Sequence, residues 1–146
     1  MDDLGWLAAA VELSRRCPPS ESAFSVGAIV VDTAGNRLAE GFSRQFEDHD
    51  HAEEVALRSL GGADLTGSTV YSSLEPCSIR LSRPASCSAL IVATGIPRVV
   101  FALAEPPIFV PGDGANLLRG SGVEVIERPE LADLVRQINA HLLPSR

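Results

Sequence analysis

His51-Ala52-Glu53, Pro76-Cys77 and Cys87 together supply one imidazole, two thiols and one carboxylate left over. A zinc ion that does chemistry takes three protein ligands and keeps its fourth position for water, whereas a structural zinc is closed by four. Three ligands are easy to find in this chain and a fourth is not, so one catalytic zinc per chain is expected, held by His51, Cys77 and Cys87. Zinc acidifies its water toward neutral pH, and that water then needs a neighbouring base to move its protons. Glu53 is the candidate for that role.

Those residues need particular elements to carry them. Residues two apart do not share a face in mid-helix, but in the first turn both can lean past the helix end. His51 and Glu53 are therefore predicted to open a helix over residues 51–60. Asp48 and Asp50 are candidate N-caps, and Ala52, Val55, Ala56 and Leu60 follow at helical spacing. Ser86 is a candidate cap for a second helix that starts at Cys87, continues through Leu90 and Ile91, and ends at Gly95 and Pro97. Both helix N-termini would point at the metal, where their partial positive charge favours thiolate over thiol. His49, two residues from His51, stands as a competing ligand. Cys17, before Pro18-Pro19, fits no ligand pattern, and His141 reads as a surface residue.

The rest of the chain alternates between the two periodicities. Leu4, Leu7, Ala8 and Val11 mark a first amphipathic helix. Strands are expected at residues 26–31, 37–43, 69–73, 99–103 and 123–126, with a hairpin turn at Thr33-Ala34-Gly35-Asn36. The third strand delivers Leu74-Glu75-Pro76-Cys77 at its C-terminal end, where ligands collect in open α/β sheets. A short helix through Leu117-Leu118 separates the fourth and fifth strands, which should therefore lie parallel. Pro129 opens a last helix with Leu131, Leu134, Val135, Ile138 and Leu142 on one face. The expected architecture is a three-layer α/β/α sandwich around a mixed five-stranded sheet, with residues 1–146 forming a single domain.

Composition bounds the function. A chain of 146 residues can bury a real core without staples. Three cysteines, two of them assigned to metal, leave no disulfide framework and point to a reducing compartment. No apolar run approaches membrane-spanning length and the start of the chain is acidic, so a cytoplasmic protein with no membrane partner is expected. The net charge is −7, with 19 acidic side chains against 12 basic ones, all arginine. A polynucleotide substrate leaves a basic footprint, so this balance predicts a small molecule instead.

The pairing of HxE with a later proline-cysteine and second cysteine is the pattern of zinc-dependent nucleobase deaminases. Over nearly its whole length the chain resembles the cytidine-deaminase superfamily, and within it the deaminase domain of the bifunctional riboflavin-biosynthesis deaminase/reductase. The resemblance is carried by Val26-Gly27-Ala28-Ile29-Val30-Val31, His51-Ala52-Glu53, Ser73-Leu74-Glu75-Pro76-Cys77-Ser78, Ala89-Leu90-Ile91, and the loop of Glu105-Pro106-Pro107 and Val110-Pro111-Gly112-Asp113-Gly114. It implies a homodimer or homotetramer and a hydrolytic deaminase that releases ammonia from a small aminated pyrimidine-like nucleotide or nucleoside. A cytidine- or deoxycytidylate-type enzyme, or a deaminase of another small heterocycle in secondary metabolism, is the alternative. A non-catalytic zinc-binding interaction protein is a further one, against which the intact Glu53 speaks.

Departures from the family concern the substrate side. Nine residues, 78–86, separate the cysteines where the family has eight, and the family's His and Gly are missing from this stretch. The family sets a basic residue here against the substrate phosphate, a role open to Arg80 or Arg83. The family's Asn-Pro before VGA is Ala23-Phe24, closer to the SxFxVGA segment of free-cytidine deaminases, and its later Asn is Pro107. The candidate substrate contacts are Phe24, Ala52, Ser73, Glu75, Arg80, Arg83 and Phe109, with Ile108 and Val110 adding to an apolar wall over the ring.

Overall fold

A computed structural model describes residues 1–79, 85–107 and 112–143. Five strands form one sheet in the order β2-β1-β3-β4-β5: β1 (Gly27–Val31), β2 (Arg37–Phe42), β3 (Thr69–Leu74), β4 (Arg98–Leu103) and β5 (Glu124–Glu127). β1 pairs antiparallel with both β2 and β3, while β3, β4 and β5 run parallel. The mixed sheet and the parallel fourth and fifth strands are as predicted. The hairpin turn also forms, with Asp32 accepting from the N–H groups of Ala34 and Asn36, and Gly35 at φ 85°.

The sheet is covered on both faces, which explains why its inner strands are buried at nearly every position and not at alternate ones. Helix α1 (Asp3–Leu13) starts at Asp2, whose carboxylate caps the N–H of Gly5 at 2.8 Å, and it buries Leu7, Ala10 and Val11 against one face. On that face it joins Ile29, Val31, Tyr71 and Val100, together with Ala132 and Val135 of α5 (Ala132–Ile138). The opposite face holds Val30, Val70 and Val99 under α2 (Ala52–Arg58), α3 (Cys87–Thr94) and α4 (Gly114–Gly120), through Ala56, Ile91 and Leu118. The last predicted helix is broken in three: 3-10 turns at Pro129–Leu131 and Ala140–Leu142 flank α5. Among the described residues no helix is long and apolar enough to cross a membrane.

This topology brings several segment ends to one edge of the sheet. β3 and β4 finish there, β1 begins there, and β2 leads from there through residues 43–51 into α2. The N–H of Glu75 bonds the carbonyl of Leu103 at 2.9 Å, so the two chain segments that leave β3 and β4 stay side by side. Gly41 lets the start of α2 sit directly on β2, since a Cβ there would lie 2.5 Å from the Ala52 carbonyl oxygen.

Candidate active site

His51 is the N-cap of α2, in extended conformation, and Glu53 is the second residue of that helix. Both side chains therefore project past the helix end, as their spacing requires. The expected caps do not act as such: Asp50 is 1% exposed, and its carboxylate turns inward to accept from the N–H groups of Phe46 and Glu47 while pairing with Arg58 at 3.0 Å. It orders the loop before the helix instead of capping it. Asp48 is exposed and lies on the cavity wall. At the second helix the expectation holds, with Ser86 as N-cap accepting from Ala89 N–H and Gly95 closing α3 at φ 80°.

The ligand atoms of His51, Cys77 and Cys87 all lie within 4.8 Å of one another. Nδ1 of His51 is 3.6 Å from the Cys77 sulfur and 3.3 Å from the Cys87 sulfur. Two atoms bound about 2.0–2.3 Å from one tetrahedral ion stand roughly 3.3–3.8 Å apart, so the donor set fits zinc in both chemistry and spacing. Hydrogen bonding from the Cys87 thiol, with His51 and the Cys87 N–H, outweighs burial and holds the Cys77 thiol down at about 4, the deprotonated form a metal needs. His49 lies on the same cavity wall but outside this cluster.

Glu53 is 4% exposed, and burial, with the charge of Cys77, raises its carboxyl to about 7. The Ser72 hydroxyl sits 3.3 Å from Glu53 Oε2 and 2.8 Å from the Leu74 carbonyl, and its single proton serves one of them at a time. Beside it, Glu75 accepts from the N–H groups of Glu105 at 2.9 Å and Ala115 at 2.7 Å, tying two loops to the ligand-bearing turn. Burial, then the nearby Cys77, Glu53 and Glu75, push Glu105 up to about 8, and its Oε2 is buried with no hydrogen-bond partner among the described residues.

These groups surround a cavity of about 510 Å³, a size that suits one small ring with a substituent. Phe24, Ala52 and Glu75 of the predicted contacts lie on its wall. Ser73 does not; it is fully buried, and its hydroxyl accepts from the N–H of Gly27 at 3.1 Å, so it fastens β1 to β3. Arg80, Arg83, Ile108, Phe109 and Val110 lie outside the described residues. Among the described residues Phe24, Val26, Leu74 and Ile79 share the cavity wall with the carboxylates of Asp48, Glu53, Glu75 and Glu105. Arg44 was not anticipated from sequence, yet it is the one arginine or lysine on the wall among the described residues. Its left-handed backbone, φ 57°, has no signature in residue type.

Residues 1–103 match the family model described as the cytidine and deoxycytidylate deaminase zinc-binding region. The chain is 39% identical over 128 residues to the diaminohydroxyphosphoribosylamino-pyrimidine deaminase of Schizosaccharomyces pombe, covering 85% of this chain and 31% of that protein. Among solved structures it superimposes on Acinetobacter baumannii RibD with a TM-score of 0.84 and 31% identity, over 97% of this chain and 39% of that one. The dCMP deaminase of cyanophage S-TIM5 aligns with a TM-score of 0.67 and 25% identity, over 86% of this chain and 96% of the other. The chain thus spans about a third of the length of the curated relatives it matches.

Proposed function

Because the chain belongs to the cytidine and deoxycytidylate deaminase zinc-binding family, we propose that it is a hydrolytic deaminase that exchanges the amino group of a pyrimidine nucleotide for oxygen and releases ammonia. The proposed substrate is the diaminohydroxyphosphoribosylaminopyrimidine that names its Schizosaccharomyces pombe relative. The observation that carries this reading is the meeting of three ligand atoms with a buried spare carboxylate, Glu53, on one small cavity.

His51, Cys77 and Cys87 would hold the zinc, which when bound would supply an acidified water as nucleophile. Glu53 takes one proton from the attacking water and passes it to the ring nitrogen, then moves the remaining proton of that same oxygen to the departing amine as the C–N bond breaks. The Cys87 thiol, then His51 and the Cys87 backbone N–H, favour the thiolate of Cys77, and Glu75 holds the turn that presents it. Atoms balance as water plus aminopyrimidine to oxopyrimidine plus ammonia. Arg80 and Arg83 remain our candidates for a substrate phosphate, and Phe24 and Phe109 for the apolar contact with the ring. We further propose a cytoplasmic homo-oligomer acting on a small molecule, consistent with the acidic balance of the chain.

Ammonia release from zinc-loaded protein tests the reading, with the diaminopyrimidine ribosyl phosphate, its dephosphorylated form, cytidine and dCMP offered in parallel. Turnover of the phosphorylated diaminopyrimidine above the rest is the expected result. Preference for cytidine or dCMP would move the protein to that branch of the family, and no ammonia from any of them would refute a deaminase of these rings.

A further inference from the structure

Pro19, Ser20, Ser22, Ala23 and Phe24 line the cavity from a segment that belongs to no helix or strand. Within it the Ser20 hydroxyl accepts from the N–H groups of Ser22 and Ala23, and the ties to the rest of the fold come from side chains elsewhere. We infer that residues 18–25 form a cavity wall anchored separately from the metal centre, and that Arg44 is the positioning residue that holds this wall and so sets the affinity for substrate.

The anchoring can be followed atom by atom. Left-handed backbone is uncommon for a non-glycine residue, and Arg44 adopts it with its N–H on the Asp50 carbonyl at 2.8 Å. Its guanidinium then grips both ends of the segment. Nε and Nη2 donate to the Pro18 carbonyl at 3.2 and 2.7 Å, Nη1 to the Phe24 carbonyl at 3.1 Å, and Nη2 to the Ser25 hydroxyl at 3.1 Å. Four of the five guanidinium N–H groups are thereby committed to protein, a count that follows from the five an arginine possesses. The fork that would bind a phosphate through two parallel bonds is already in use.

A second set of ties comes from the far end of the chain. Asn139, 1% exposed, accepts from the Ser25 N–H at 2.7 Å and donates to the Ser25 carbonyl at 3.2 Å, and His141 Nε2 lies 2.8 Å from the Ser20 carbonyl. Neither residue lines the cavity. None of these anchors is a metal ligand, so releasing the wall should loosen substrate while His51, Cys77, Cys87 and Glu53 stay in place.

The kinetic consequence rests on the proposed deaminase reading; the anchoring itself does not. Zinc-loaded Arg44→Gln, Arg44→Lys and Asn139→Ala chains are compared with the parent by backbone hydrogen exchange and by steady-state turnover of the diaminopyrimidine ribosyl phosphate. In all three we expect faster exchange at residues 20–26, unchanged exchange at residues 52–58, and full zinc. For both Arg44 variants KM should rise about tenfold or more with kcat within about threefold, because lysine keeps the charge but lacks the fork. Unchanged exchange at residues 20–26 in Arg44→Lys would overturn the anchoring whatever the substrate proves to be. A normal KM in Arg44→Lys, or a loss confined to kcat, would overturn the role in affinity. If the parent does not turn over this compound, the proposed substrate fails while the exchange measurement still decides the anchoring.

Discussion

The backbone N–H of Cys87 donates to the sulfur of Cys77 across 3.3 Å. The first turn of α3 thus stabilises as thiolate the sulfur beside which its own first residue stands. Cysteine at a helix N-terminus is deprotonated more readily, and here one helix start serves two ligands. Replacing either Cys77 or Cys87 by alanine should abolish zinc retention after dialysis against a chelator. Ser86→Ala should keep zinc but cost about 1 kcal/mol of unfolding free energy through the lost cap. Zinc retained by Cys87→Ala at parent affinity would remove Cys87 from the ligand set.

Gly114 opens α4 against the ligand-bearing turn, where an added Cβ would fall 1.6 Å from the Pro76 carbonyl oxygen. No side chain fits there without moving Pro76 and hence Cys77. Gly114→Ala should therefore lower zinc affinity and destabilise by about 2 kcal/mol or more. Gly120, at the other end of the same helix with nothing within 4 Å of a built Cβ, is the control. Its change to alanine should be neutral or stabilising by up to about 1 kcal/mol, and similar losses at both positions would show that crowding at Pro76 is not the cause.

Burial makes the Glu53 carboxyl a liability in metal-free protein. Its folded value, about 7, stands above the ordinary 4.5. Between those values the unfolded chain binds fewer protons at this site than the folded one, so the Glu53 contribution to stability falls as pH rises through that window and is constant beyond it. The stability of the metal-free parent minus that of Glu53→Gln should therefore drop by up to roughly 3 kcal/mol from pH 4 to 8. A flat or rising difference, read from denaturant unfolding at several pH values, would contradict the assignment.

Phe24 stands between two duties. It lines the cavity, yet it is 8% exposed and packs in the main core with Val26 and Leu74. From sequence it is a candidate substrate contact. Phe24→Ala should therefore both raise KM and lower stability, the latter by about 3 kcal/mol. Calorimetry alongside KM separates them, and a melting temperature equal to that of the parent would return Phe24 to the wall alone.

The strands and the two metal-facing helix starts were legible because each is written in local signals: apolar runs, a serine cap before Cys87, and glycine and proline stops. Convergence of His51, Cys77 and Cys87 was legible from motif spacing. What escaped was set by tertiary contact. Asp50 looks like a cap by residue type, but the geometry of residues 43–51 turns it inward to Arg58. Ser73, adjacent to the motif, points away from the cavity because side chains alternate along β3, and its neighbours Ser72 and Leu74 occupy the other face. Arg44 grips Pro18, Phe24 and Ser25, 19 to 26 places away in sequence, only through a left-handed turn that no residue pattern announces. The break in the last helix follows from Asn139, whose side chain bonds Ser25 and closes α5 early.

The central claim, that a three-ligand metal centre and Glu53 divide the labour of deamination, is tested most directly by one paired measurement on Glu53→Gln. Zinc content and ammonia release are determined on the same purified sample. We predict one zinc per chain, as in the parent, with ammonia release lowered at least about 100-fold, the usual weight of a general acid and base. Turnover within a few fold of the parent, with zinc still bound, would contradict the account.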